Sequence, residues 1–93
     1  MRRAARVDDN QALVVRALRA AGASVAITSM VGEGFPDLVV GFAGRNYLVE
    51  VKNKDGRGLK LTGDEPKFHR LWKGQVCVVA SVSDALAVLR ADL

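Results

Sequence analysis

Three charged residues sit where apolar strands are expected. Asp37 closes Gly34-Phe35-Pro36-Asp37 at the entrance to Leu38-Val39-Val40-Gly41-Phe42, and Glu50 and Lys52 flank Val51 at the end of Tyr47-Leu48-Val49-Glu50-Val51. A charge in a half-buried strand has to be paired or coordinated, because an isolated one is costly to desolvate. Two converging carboxylates form an oxygen donor set for a hard cation such as Mg²⁺ or Mn²⁺. Such an ion makes a nucleophile from water near neutral pH and offsets charge building on a phosphate. A lysine beside it adds positive charge in the same place. The chemistry indicated is metal-assisted hydrolysis of a phosphodiester.

The elements must bring these residues together. Only Ala43-Gly44-Arg45-Asn46 separates the two strands, which implies an antiparallel hairpin. With a two-residue loop at Gly44-Arg45, Ala43 faces Asn46, Val39 faces Glu50 and Asp37 faces Lys52. Side chains alternate along a strand, so one face carries Leu38, Val40, Phe42, Tyr47, Val49 and Val51. The other carries Asp37, Val39, Gly41, Leu48, Glu50 and Lys52. Asp37 and Glu50 become diagonal neighbours, roughly 7–8 Å apart. On this geometry alone, two arrangements stand: a metal ion between the carboxylates, or an Asp37–Lys52 ion pair with Glu50 facing solvent.

The remaining pattern supplies layers around this hairpin. Leu13, Val14, Ala17, Leu18 and Ala21 form a helical stripe over Asp9–Ala21, stopped by Gly22. Asn10 falls on the same face. Ser24–Ser29 reads as a short strand. A helix is predicted over Gly63–Lys73 with Phe68, Leu71 and Trp72 on its core face, an assignment that favours packing over base stacking for Trp72. Gln75–Ala80 reads as a strand buried on both faces, and Cys77 within it as a small buried hydrophobe. A closing helix starts near Ser83-Asp84, with Ala85, Leu86, Val88 and Leu89 inward. The order is αβββαβα, an α/β fold with a mixed sheet whose last strand runs parallel to the Tyr47–Lys52 strand.

Length and composition bound the rest. Ninety-three residues, 49% hydrophobic and 5% aromatic, make one domain with an aliphatic core. No apolar run approaches the roughly 20 residues needed to span a bilayer. The basic start, Met1–Arg6, leads into Asp8-Asp9-Asn10 instead of an apolar segment, which argues against secretion. The single cysteine excludes an internal disulfide. A reducing, cytoplasmic setting is expected. The net charge is +4, and its distribution is uneven: Arg45, Lys52, Lys54, Arg57, Lys60, Lys67, Arg70 and Lys73 are clustered, whereas Ala21–Gly44 has no basic residue. Such clustering suits a polyanion partner. The Lys54–Lys60 loop, directly after Lys52, is the candidate for phosphate-backbone contact. No nucleotide-binding glycine motif is present.

Gly34-Phe35-Pro36-Asp37-Leu38 followed by Glu50-Val51-Lys52 resembles the signature of the PD-(D/E)xK nuclease superfamily, and αβββαβ is that superfamily's core. Thr62-Gly63-Asp64-Glu65 and Phe68-His69 extend the resemblance to the small stand-alone VRR-NUC domains of phages and bacteria. It covers the chain from about Asp9 to Leu89. The resemblance implies a restriction-endonuclease-like fold with an added C-terminal helix. It implies that Asp37, Glu50 and the Val51 carbonyl bind Mg²⁺ or Mn²⁺. Lys52 would orient or activate water, or stabilise charge on the phosphate. Where many relatives have a first-helix glutamate, this chain offers Asn10, which can ligate but brings no charge. Glu65 stands where relatives often have glutamine, and Thr62-x-x-Glu65 is also a capping box. Lys54, Arg57, Lys60, Lys67 and His69 are the candidate DNA contacts, although a lone histidine on an amphipathic helix is more often a surface residue. The substrate implied is branched DNA such as a four-way (Holliday) junction, cut by a homodimer in a bacterial or phage-infected cytoplasm. The competing reading is a DNA-binding module that keeps the fold without cutting.

Overall fold

Glycine ends the first helix. In the computed structural model, which describes residues 2–53 and 60–91, α1 runs Arg2–Ala20. Gly22 takes φ +100°, its N–H donates to Arg19 O at 3.0 Å, and the Ala23 N–H donates to Leu18 O at 3.0 Å. This Schellman turn satisfies carbonyls that the last helical turn leaves open. The helix begins at Arg2, well before the expected Asp9, because Arg and Ala are good helix formers that need no burial to extend a turn. Its inward face is Val14, Val15 and Leu18, whereas Leu13 is 49% exposed. Val14 and Leu18 of the expected stripe are buried, whereas Val15 takes the inward place expected for Leu13.

Strands β1 (Ser24–Ile27), β2 (Leu38–Phe42), β3 (Arg45–Val51) and β4 (Val76–Val79) form one sheet in the order β1-β2-β3-β4. The first three are antiparallel neighbours, and β4 runs parallel to β3. Helix α2 (Glu65–Leu71) lies on the crossover between them, and α3 (Val82–Arg90) closes the chain. The observed order is αβββαβα, a mixed α/β fold with a C-terminal helix. Among the described residues no helix is long and apolar enough to cross a membrane.

The β2–β3 hairpin turns at Ala43-Gly44, one residue earlier than expected. Both turn residues have positive φ, 53° and 79°, the signature of a type I′ turn, whose twist matches that of the strands. Phe42 then pairs with Arg45 and Leu38 with Val49. This differs by two residues from the expected register, and side chains repeat with period two, so each keeps its face. Leu38, Val40, Tyr47, Val49 and Val51 pack against Val14 and Leu18 of α1 and Ala85 and Leu89 of α3. Ser81 caps α3 by accepting the Asp84 N–H at 3.0 Å.

Two expectations about burial are corrected. β4 is an edge strand; Val76, Cys77 and Val78 are only half-buried, and Val79 alone is buried. β3, inside the sheet, is the strand covered on both faces, with Leu48 and Glu50 buried on the side opposite the core. Helix α2 is shorter than expected because Pro66 stands in its first turn, where its missing N–H costs nothing. It buries no residue. Leu71 and Trp72 are 56% and 43% exposed, so this face is not part of the core.

Candidate active site

Asp37 is fixed at the mouth of β2 by its neighbours. The Thr28 N–H donates to Asp37 O at 2.7 Å, and the Thr28 hydroxyl donates to Pro36 O at 2.8 Å. The Asp37 carboxylate accepts the Val51 N–H at 2.8 Å. One further step of the β2–β3 register sets Asp37 opposite Glu50. The two carboxylates are thus direct cross-strand partners instead of diagonal ones.

Lys52 follows β3, and its N–H donates to Val79 O at 2.8 Å, which extends the parallel ladder by one bond. Its ammonium donates to Glu65 Oε1 at 2.8 Å and lies 3.5 Å from Glu50 Oε2. Glu65 Oε1 also accepts the Thr62 N–H at 2.8 Å, across the turn that leads into α2; Asp64, not Thr62, is the N-cap, so the expected capping box does not form. The same carboxylate therefore closes the turn before α2 and holds Lys52. The arrangement is not an Asp37–Lys52 pair with Glu50 in solvent, since Glu50 is only 4% exposed.

Gly34 lets α2 reach this cluster. It has φ +81°, and a Cβ there would lie 2.6 Å from the Asp64 carbonyl oxygen. Only glycine supports both the conformation and the close approach. Next to it, Phe35 meets Phe68 edge to face at 5.4 Å, which joins the Asp37 loop to α2.

Electrostatics follow from burial. Glu50 is pushed up to about 8, first by desolvation and then by Asp37 and Glu65. Desolvation also raises Asp37, although the Val51 N–H and Glu50 hydrogen bonds oppose it. Burial by itself favours the neutral form of Lys52, but the Glu65 hydrogen bond and the charges of Glu65 and Glu50 outweigh it and raise its pKa. Burial likewise disfavours ionised Glu65, yet the hydrogen bonds from Lys52 and Thr62 prevail and lower it. At neutral pH the cluster holds an ionised Glu65, a charged Lys52 and a Glu50 that retains a proton. Two facing carboxylates, one of them holding a proton chiefly because it is desolvated, form a donor pair suited to a divalent ion.

The sequence-predicted residues separate into three groups. Asp37, Glu50, Lys52 and Glu65 converge. Val51 and Asn10 lie at the border: the Val51 side chain is in the core with only its backbone toward the site, and Asn10 Nδ2 donates to Lys52 O at 2.7 Å, bracing the end of β3. His69 is partly buried; its Nε2 is shielded and has no hydrogen-bond partner, and burial lowers its pKa. Lys60 and Lys67 are exposed, while Lys54 and Arg57 lie outside the described residues. Among the described residues no group of three or more His, Cys, Asp or Glu stands ready to hold a metal; Glu65 is engaged by Lys52 and Thr62. The roles of Gly34 and Phe35 in seating α2 were not foreseen, although the glycine in Gly-Phe-Pro-Asp was a usable signal. Comparison with family models, curated proteins and solved structures yields no match.

Proposed function

We propose that this chain is a metal-dependent DNA endonuclease of the PD-(D/E)xK type, VRR-NUC branch, acting on branched DNA as a homodimer. The observation that carries the reading is the convergence of Asp37, Glu50 and Lys52 at one end of the β2–β3 hairpin, with Glu50 pushed up to about 8. Mg²⁺ or Mn²⁺ would be held by the Asp37 and Glu50 carboxylates, with the Val51 carbonyl and Asn10 at its border. When bound, such an ion supplies an activated water and a counter-charge for the phosphate.

The residues of this chain then have distinct roles. Asp37, pinned by the Val51 N–H and Thr28, is the fixed ligand. Glu50 must give up its proton to become the second. Lys52, raised in pKa and held by Glu65, stays an ammonium at neutral pH. It therefore suits charge stabilisation on the phosphate, and not proton abstraction. Glu65 positions Lys52. A symmetric pair of cuts across a four-way junction needs two such sites, hence two copies.

A second reading, a DNA-binding module that does not cut, is favoured by one observation: Glu65 and Asn10 are engaged with Lys52 and leave two carboxylates for a metal. Lys52→Ala separates the two. The endonuclease reading expects this variant to bind junction DNA as the wild type does and to lose Mn²⁺-dependent nicking by at least about a hundredfold. Full nicking by a folded Lys52→Ala protein removes Lys52 from the mechanism. A wild-type protein that binds and never nicks supports the second reading.

A further inference from the structure

Helix α2 presents an aromatic surface that the catalytic cluster does not use. Trp72 stacks on Phe68 with ring centroids 5.1 Å apart and planes 15° apart, and Phe68 in turn meets Phe35 beside the Asp37 loop. The Trp72 N–H donates to Phe68 O at 3.0 Å, which pins its backbone. A Cβ on Gly74 would fall 2.9 Å from the indole nitrogen, so glycine there is what lets the ring lie flat against the chain. The indole is nevertheless 43% exposed. A large aromatic ring, fixed on one side and open on the other, differs from a core residue that has lost its cover.

The ring borders a groove of about 470 Å³ lined by Glu33, Asp64, Lys67, Phe68, Leu71 and Trp72. The groove carries both signs of charge. Glu33 and Asp64 would repel a phosphate, yet carboxylates accept hydrogen bonds from the N–H groups of unpaired bases, the ring imino group of thymine included. The exposed Lys67, Arg70 and Lys73 belong to the same segment and suit a sugar-phosphate chain passing outside. Apolar and aromatic walls, with two carboxylates and the Lys67 ammonium at their border, are complementary to a single base turned out of its helix with its phosphate attached. Trp72 lies seven positions beyond Glu65, about 10 Å along the helix axis, or about three stacked base steps.

We propose that Trp72 is a stacking platform for an unpaired nucleobase lying a few nucleotides from the scissile phosphate. The inference rests on the endonuclease reading, and gives it a physical basis for preferring branched over continuous duplex DNA: only a distorted substrate offers a base that can reach the indole. Stacking of this kind tolerates any base, since each has a π-face.

Trp72 is the only tryptophan of the chain, so its fluorescence reports directly. The test titrates the full chain, in chelator, with an oligothymidylate, an abasic oligonucleotide of equal length and a fully paired duplex. The expected result is saturable quenching by the oligothymidylate and little by the other two, although both bind in a polarisation assay. Trp72→Ala weakens oligothymidylate binding roughly five- to a hundredfold and leaves abasic binding unchanged, and Trp72→Phe recovers most of the loss. Equal affinity in wild type and Trp72→Ala overturns the proposal. So does a fluorescence change that depends on protein concentration without DNA, which would seat a second copy on the groove. Because the assay involves no cleavage, quenching by a protein that never cuts retains the platform and removes the endonuclease. Cutting without quenching does the reverse.

Discussion

Glu50 is buried between Asp37 across the strand pair and Glu65 on α2, and its proton makes that burial tolerable. Its folded pKa, raised from the ordinary 4.5 to about 8, has a stability consequence. The contribution of the protonated group is complete below about pH 4.5. It declines as pH rises, because the folded state holds a proton the unfolded chain has released, and it is gone above about pH 8. Asp37, also raised, acts in the same direction. Glu65, lowered by its hydrogen bonds, contributes only above its unfolded value and is lost toward acid. The metal-free protein should therefore lose on the order of a few kcal/mol between about pH 5 and pH 8. Glu50→Gln should flatten that decline and exceed the wild type in stability at about pH 8. Urea unfolding at several pH values measures this, and a wild-type stability that climbs through the window contradicts it. At this scale the sequence was informative about identity: Asp37, Glu50, Lys52 and Glu65 all stood out as misplaced charges or motif residues. It was silent on who pairs with whom. The Lys52–Glu65 bond joins residues whose approach depends on the intervening loop and on α2, and no spacing rule reaches across them.

The hairpin and α2 set the accuracy of the site. The strand faces were legible because the alternation of apolar residues survives any even shift, and for that reason the two-residue error in register left every side chain on its assigned face. The turn itself was misread because Gly44 suggested a glycine-first loop, whereas Ala43 accepts a left-handed conformation that alanine seldom adopts. The α2 face was misread more seriously: Phe68, Leu71 and Trp72 have helical spacing, and spacing alone does not distinguish a face packed on a core from one left open. Gly34 is the residue that fixes α2 in place. Gly34→Ala combines a left-handed φ, worth about 1–2 kcal/mol, with a clash against the Asp64 carbonyl. We expect it to lower the unfolding free energy by at least that amount and to separate Glu65 from Lys52, so that nicking falls more than DNA binding. Denaturant unfolding and paired binding and cleavage assays measure both effects. Unchanged stability would mean that α2 is not seated through this contact.

For the molecule as a whole, the element order and the parallel return of β4 were both expected from the sequence, since a short helix on a crossover leaves few alternatives. The edge position of β4 was not, because an apolar run reads alike on an edge and in the middle of a sheet. The charge distribution makes a prediction at this scale: with a net charge of +4 and Lys60, Lys67, Arg70 and Lys73 exposed, affinity for the proposed DNA partner should fall steeply with salt. The central claim is that Asp37 and Glu50 hold a metal ion that, with Lys52, breaks phosphodiester bonds in branched DNA. It is tested most directly by incubating the protein with linear, flap and four-way-junction DNA in Mg²⁺, in Mn²⁺ and in chelator. Cleavage of the junction is expected in either metal, none in chelator, and loss of cleavage in Asp37→Asn. Cleavage that persists in chelator, or in folded Asp37→Asn, or no cleavage of any substrate in Mn²⁺, would contradict the claim.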